Sequence, residues 1–270
     1  MTKTQYISNH KSLKLAYLYE PPSKDKKDMA EIIFLSGFRS DKFGTKASFL
    51  ANYIASQGYG YLRFDYSGHG TSEGEFSELC LTDWIKDTRL MIDNILPSEK
   101  PIIIIGSSMG GWIALKLLPE LQKIRKTAFL GLAPAPDFTK LMMPERYIPE
   151  NQKLLAKQGY MEVACDYDVD NTPYIITQKF LEDGDKNAIT DAEIPYDGPV
   201  RILQGMLDDD VPFKHALLIS ELLRSENVII ELIKDGAHNL SRPQDLIHIA
   251  SHVALLIEHM QHGDLISEAE

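Results

Sequence analysis

The sequence predicts a single α/β domain, in which a mostly parallel central sheet of about eight strands is flanked by helices and interrupted by one inserted segment. Three observations predict it. Apolar runs such as "EIIFLSG", "PIIIIGS" and "VRILQGM" are hydrophobic on both faces, as strands buried in a parallel sheet must be. Stretches with apolar residues at helical spacing separate them, as crossover connections require. The chain has 270 residues, 44% of them hydrophobic, enough for one sizeable core.

In chain order, "TQYISN" and "LKLAYLYEP" flank a polar "HKS" and read as an opening hairpin. Six strand-like runs follow: "EIIFLSG", "YGYLRFDY", "PIIIIGS", "TAFLGLA", "VRILQGM" and "VIIELIK". Between them "GTKASFLANYIASQG", "TDWIKDTRLMIDNIL" and "PFKHALLISELLRS" read as crossover helices. The last helix, "PQDLIHIASHVALLIEHM", has Pro243 in its first turn, and Ser241 with Gln244 three residues on predicts a capping box.

One stretch breaks the alternation. Residues 134–198 separate two sheet strands by about 65 residues, far beyond an ordinary connection. The expected division is a core of 1–133 and 199–270 with 134–198 as an inserted lid. Helices are expected in it around "PENQKLLAKQ" and "YIITQKFLED". Its Met142, Met143, Tyr147, Tyr160, Met161, Tyr167, Tyr174 and Phe180 either line an acyl pocket or form the insert's own core.

The strand "PIIII" runs into Gly106-Ser107-Ser108-Met109-Gly110, which fits G-x-S-x-G, and then into the helical "WIALKLL". Strand before and helix after is the context of a nucleophile elbow, whose middle serine is held out at the sheet's carboxyl edge. The stretch matches neither G-x-G-x-x-G nor the P-loop, so a phosphate cradle is the weaker reading.

A serine hydroxyl needs a base, and the base needs a carboxylate that fixes its tautomer. Asp208 follows the strand ending at Gly205-Met206, and His238 follows the next strand. Among the adjacent Asp208, Asp209 and Asp210, the first completes the G-x-x-D-x-x-V-P pattern from Gly205 to Pro212. The oxyanion hole is expected from the backbone N–H groups of Met109 and of Phe38, in "SGF" after the first buried strand. Arg39 beside it is either a substrate carboxylate's partner or an exposed, solvated arginine. Met142, Met143 and Tyr147 are the substrate-contact candidates of the insert. His69 is a loop residue near the site. His248 and His252 have the i, i+4 spacing of a zinc pair, but "HIASH" lacks the glutamate of H-E-x-x-H, and no metal is expected.

The net charge of −11 argues against a nucleic-acid groove or an anionic membrane as partner, since both need a basic face. The expected partner is a small-molecule or acylated substrate. Cys80 and Cys165 are too few for a disulfide framework and read as packing residues of a reducing compartment. No stretch reaches the roughly 18 apolar residues of a membrane span, and the start lacks a signal-peptide core. The expected location is cytoplasmic.

The segments "FDYSGHGTSEG", "GSSMGGW", "QGMLDDDVP" and "GAHNL", with "GTKA" at 44–47, resemble the α/β-hydrolase superfamily. More narrowly they are similar to the abhydrolase-domain group that contains the mitochondrial acyl-glucuronide esterase and palmitoyl-protein thioesterase. The resemblance implies Ser108 as nucleophile, Asp208 as acid and His238 as base, acting on an ester or thioester without a cofactor. Ser36, where the family usually has another residue, departs from the pattern. A serine peptidase or amidase would use the same triad, and a transferase would pass the acyl group to an alcohol. A non-catalytic ligand-binding member of the fold would have no need of all three residues.

Overall fold

The computed structural model describes residues 3–163 and 173–266. The strands are β1 (Gln5–Ser8), β2 (Lys14–Glu20), β3 (Glu31–Leu35), β4 (Tyr61–Phe64), β5 (Ile102–Ser107), β6 (Thr127–Leu132), β7 (Tyr160–Val163), β8 (Tyr174–Thr177), β9 (Val200–Gly205) and β10 (Val228–Ile233). The helices are α1 (Thr45–Ser56), α2 (Leu81–Ile95), α3 (Met109–Leu121), the single turn α4 (Phe138–Leu141), α5 (Pro149–Gln158), α6 (Gln178–Lys186), α7 (Lys214–Leu222) and α8 (Pro243–Ile266).

Eight strands form the central sheet in the order β1-β2-β4-β3-β5-β6-β9-β10. The pairings β1–β2 and β2–β4 are antiparallel, and all the others in this sheet are parallel. The isoleucine run explains why β5 is central. Ile102 and Ile104 enter one apolar layer with Trp84 of α2 and Trp112 of α3, while Ile103 and Ile105 enter the opposite layer with Leu50 of α1 and Val253 of α8. A strand alternates its side chains between faces, so only a run apolar at every position can serve a sheet covered on both sides.

β6 and β9 are neighbours in the sheet, yet α4, α5, β7, β8 and α6 lie between them in sequence. The helix expected over "YIITQKFLED" is corrected: Tyr174–Thr177 is a strand paired antiparallel with β7, and helix α6 begins only after it. Aromatic and β-branched residues favour the strand, and Thr177 then caps α6 by accepting the Phe180 N–H at 3.1 Å. The capping box expected at α8 from Ser241 and Gln244 does not form, and only its returning half is made, one residue on. Ser241 Oγ donates to the Asn239 carbonyl (2.8 Å), and the Asp245 carboxylate, not Gln244, accepts the Arg242 N–H (3.0 Å).

Candidate active site

The strand-to-helix turn after β5 holds Ser108 at φ 52°, ψ −118°, a conformation that costs a non-glycine residue roughly 1–3 kcal/mol and persists only where its surroundings impose it. Those surroundings are tight. A Cβ on Gly106 would lie 2.6 Å from the Gly110 carbonyl oxygen, and one on Gly110 would collide with the Leu35 carbonyl at the end of β3. The Ser108 N–H donates to Leu132 O (3.0 Å) and its carbonyl accepts the Ala135 N–H (3.1 Å), which binds the turn to the end of β6.

The loops after β9 and β10 meet over Gly205 and Gly236. Leu207 N–H donates to Gly236 O (2.9 Å), and a side chain on Gly205 would strike the Gly236 backbone. This brings together residues 130 positions apart: His238 Nε2 lies 3.1 Å from Ser108 Oγ, and His238 Nδ1 lies 2.9 Å from Asp208 Oδ2. Asp208 Oδ1 accepts the N–H groups of Asp210 (3.0 Å) and Val211 (2.7 Å). With the carboxylate on Nδ1, that nitrogen carries the proton and Nε2 is left to accept from the serine. Asp208 is buried, whereas Asp209 and Asp210 are exposed. Lys46 of α1 reaches across to donate to the Asn239 carbonyl, beside the imidazole.

The loop after β3 lies alongside, since a Cβ on Gly37 would be 3.4 Å from Ser108 Cβ. Met109 opens α3 and is fully buried. Arg39 adopts φ 57°, and its N–H donates to His69 Nε2 (3.2 Å), while His69 Nδ1 donates to the Ser67 carbonyl (3.2 Å). Burial holds His69 down to a pKa of about 4, so the ring is neutral at physiological pH and can accept that bond. Lys42 and Asp65, both buried, pair at 2.5 Å, and Asp65 also accepts the Lys42 N–H (2.7 Å). The Phe38 ring packs against Phe76, Trp84, Phe138, Tyr174 and Phe180, with centroids 5.0–6.1 Å away. The Arg39 guanidinium lies over Tyr174 (4.6 Å) and Phe76 (5.5 Å).

The insert residues divide. Met143, Phe138, Tyr174 and Phe180 pack with Phe38 in the apolar layer. Met142 is half-buried, and Tyr147 is exposed, donating its hydroxyl to the Lys140 carbonyl and lining an outer groove with Leu155 and Leu181. Tyr167 and Cys165 lie outside the described residues. Cys80 is buried, and burial pushes its thiol up to about 12, which suits a packing residue. His248 Nδ1 and His252 Nε2 both contact the Glu231 carboxylate, at 2.5 and 2.6 Å. The sequence reading missed Lys42, Asp65 and Lys46, whose partners are remote in the chain.

A serine on a strained strand-to-helix turn, faced by a histidine from the end of β10 and a carboxylate from the end of β9, defines an α/β-hydrolase. The family described as "Serine aminopeptidase, S33" matches residues 26–172, and the chain belongs to it. Mouse "Palmitoyl-protein thioesterase ABHD10, mitochondrial" is 31% identical over 217 residues, which span 80% of this chain and 71% of the mouse protein. Among solved structures, a putative hydrolase from Agrobacterium vitis S4 superposes with a TM-score of 0.88 at 37% identity, covering 95% of this chain and 99% of that one. Mouse alpha/beta hydrolase domain-containing protein 10 gives 0.83 at 27% identity, covering 96% and 99%. The chain thus belongs among the hydrolases, and its mouse, bovine and orangutan relatives are named as thioesterases. The cytoplasmic expectation is corrected: the mouse, bovine and orangutan relatives are all named as mitochondrial proteins. Among the described residues no helix is long and apolar enough to cross a membrane.

Proposed function

We propose that the chain hydrolyses acyl esters or thioesters through an acyl-enzyme on Ser108, with His238 as base and Asp208 as its orienting acid. The observation that carries this is the chain of contacts from Ser108 Oγ to His238 Nε2 (3.1 Å) and from Nδ1 to Asp208 Oδ2 (2.9 Å). Ser108 Oγ attacks the acyl carbonyl as its proton passes to Nε2, and Asp208 steadies the imidazolium. The tetrahedral oxyanion is met by the Phe38 and Met109 N–H groups, fixed dipoles that need no reorganisation at the moment of reaction. Collapse breaks the bond to the alkoxide or thiolate, which leaves with the proton from Nε2. Water, deprotonated by His238, then attacks the ester on Ser108 and releases the carboxylic acid.

Residues 134–198 act in this reading as a lid. Met142, Met143, Phe138 and Phe180 supply its apolar contacts to the acyl chain, Tyr147 its outer rim, and Arg39 a cation at the mouth. An acylated protein or small-molecule acyl ester suits such a site, and the thioesterase name of the relatives supports the first. A peptidase reading is favoured by the family description alone. Matched ester and amide substrates separate the two, since an aminopeptidase would turn over the amide of a free-amine peptide.

The direct test is fluorophosphonate labelling. Wild type is expected to label at Ser108, and Ser108→Ala is expected to fold but neither label nor hydrolyse p-nitrophenyl esters. Normal labelling of that variant would overturn the assignment.

A further inference from the structure

Gln204 occupies the position in β9 just before Gly205, and its side chain is completely buried. Its Nε2 donates to Asp208 Oδ2 at 2.8 Å, the same oxygen that faces His238 Nδ1, and to the Val211 carbonyl at 3.0 Å. Counted with the Asp210 and Val211 N–H groups on Oδ1, the carboxylate meets four donors, which fills its acceptor sites. Gln204 Oε1, by contrast, is buried without a hydrogen-bond partner among the described residues. An amide with an orphaned oxygen is a poor core residue, because an unpaired buried acceptor opposes folding. A methionine of similar length would fill the space without it.

We infer that Gln204 is a positioning residue behind the triad, whose amide fixes the rotamer of the Asp208 carboxylate and draws charge from the oxygen that holds His238. This rests on the triad reading above. The amide acts in two ways. Tied to Val211 O, it prevents the carboxyl group from turning Oδ2 away from the imidazole, and so keeps the proton on Nδ1. By competing for Oδ2, it limits how strongly the carboxylate stabilises the imidazolium, leaving Nε2 able to give its proton to the leaving group.

The experiment compares wild type, Gln204→Met and Gln204→Glu with p-nitrophenyl acetate across the pH range, alongside thermal melts. Gln204→Met is expected to lower kcat by about tenfold, the scale of one charge-assisted hydrogen bond, with KM changed by less than about twofold. With the competing donor gone the imidazolium is stabilised, so the acidic limb of kcat/KM moves to higher pH. Its melting temperature should change little, because the variant removes the orphaned Gln204 oxygen but also takes a donor from the Val211 carbonyl. Gln204→Glu can donate only when it holds a proton, so its activity relative to wild type is expected to rise as the pH falls. The other titratable groups facing the pair are Asp210 on the same loop and Lys46 on α1, and both are unchanged in these variants. A wild-type kcat and acidic limb in Gln204→Met would overturn the inference, as would a lowered melting temperature with an unmoved limb. Retained hydrolysis in Ser108→Ala would instead remove the triad reading. An inactive Ser108→Ala beside an unaffected Gln204→Met would remove this inference alone.

Discussion

His69 Nε2 accepts the backbone N–H of Arg39, so a buried neutral imidazole holds up a residue at φ 57° one position beyond Phe38. Protonation would turn that acceptor into a second donor facing the N–H.

The first prediction follows from this bond. The pKa of His69 is about 4 in the fold against an ordinary 6.5, so the unfolded chain takes up the proton first and stability falls as the pH drops from about 6.5 towards 4. The histidine's share of that loss is about 3 kcal/mol. Urea unfolding of wild type and His69→Gln at pH 7 and pH 4.5 measures it. Glutamine can still accept the Arg39 N–H and does not titrate, so the variant should be the less pH-sensitive of the two.

A second prediction concerns Lys42 and Asp65. Removing one partner of a buried pair leaves an uncompensated charge, so Lys42→Met should destabilise the fold by about 3–5 kcal/mol. The midpoint of chemical denaturation reports it. Because the pair also fixes the loop that carries Phe38, kcat of the residual folded enzyme should fall more than its KM rises.

A third separates the three carboxylates after β9. Asp208→Asn presents an amide to the imidazole and favours the wrong tautomer, which should lower kcat on the order of 10⁴-fold. Asp209 and Asp210 are exposed, and asparagine at either should cost less than about tenfold. Steady-state kinetics on one ester suffices. A crippled Asp209→Asn beside an active Asp208→Asn would move the acid by one residue.

Chain-length selectivity provides the fourth. If the lid reading holds, Phe180→Ser and Met143→Ser should weaken turnover of long acyl esters relative to acetate, because Phe180 stacks on Phe38 and Met143 packs against the same apolar layer. Ile124→Ser should leave the ratio unchanged, since Ile124 is exposed on the loop between α3 and β6, outside the lid. A series of p-nitrophenyl esters from acetate to palmitate measures the ratio, and equal loss on every ester would argue against the lid reading.

The parts of the fold legible in the sequence are those written in local periodicity. The unbroken Ile102–Ile105 run identifies a strand covered on both faces, and the glycines around Ser108 identify a turn too tight for side chains. The stretch Tyr174–Thr177 misled because its four residues fit either period, and a helix does follow at once. What settled it was pairing with β7, a contact that no local pattern records. Ser108, Asp208 and His238 could be singled out because each follows a strand end, and strand ends of a parallel sheet share one edge. Gln204, Lys42 and Lys46 could not. Gln204 looks like one more interior position of a strand. The lysines look like ordinary surface cations until residues 23 and 193 positions away close on them.

The two ends of the insert are tied by one side chain. Asp137, buried at the start of α4, accepts the N–H groups of Ile189 (3.0 Å) and Thr190 (2.9 Å) and the Thr190 hydroxyl (2.5 Å). The described residues from α4 to α6 thus leave and re-enter beside the adjacent strands β6 and β9, and Asp183 of α6 fastens them again to Thr82 of α2 (2.8 and 2.7 Å). Recoding the segment therefore repacks the main core as well, because Phe180 stacks on Phe38 and meets Trp84 in the apolar layer that also holds Ile102 and Ile104 of β5.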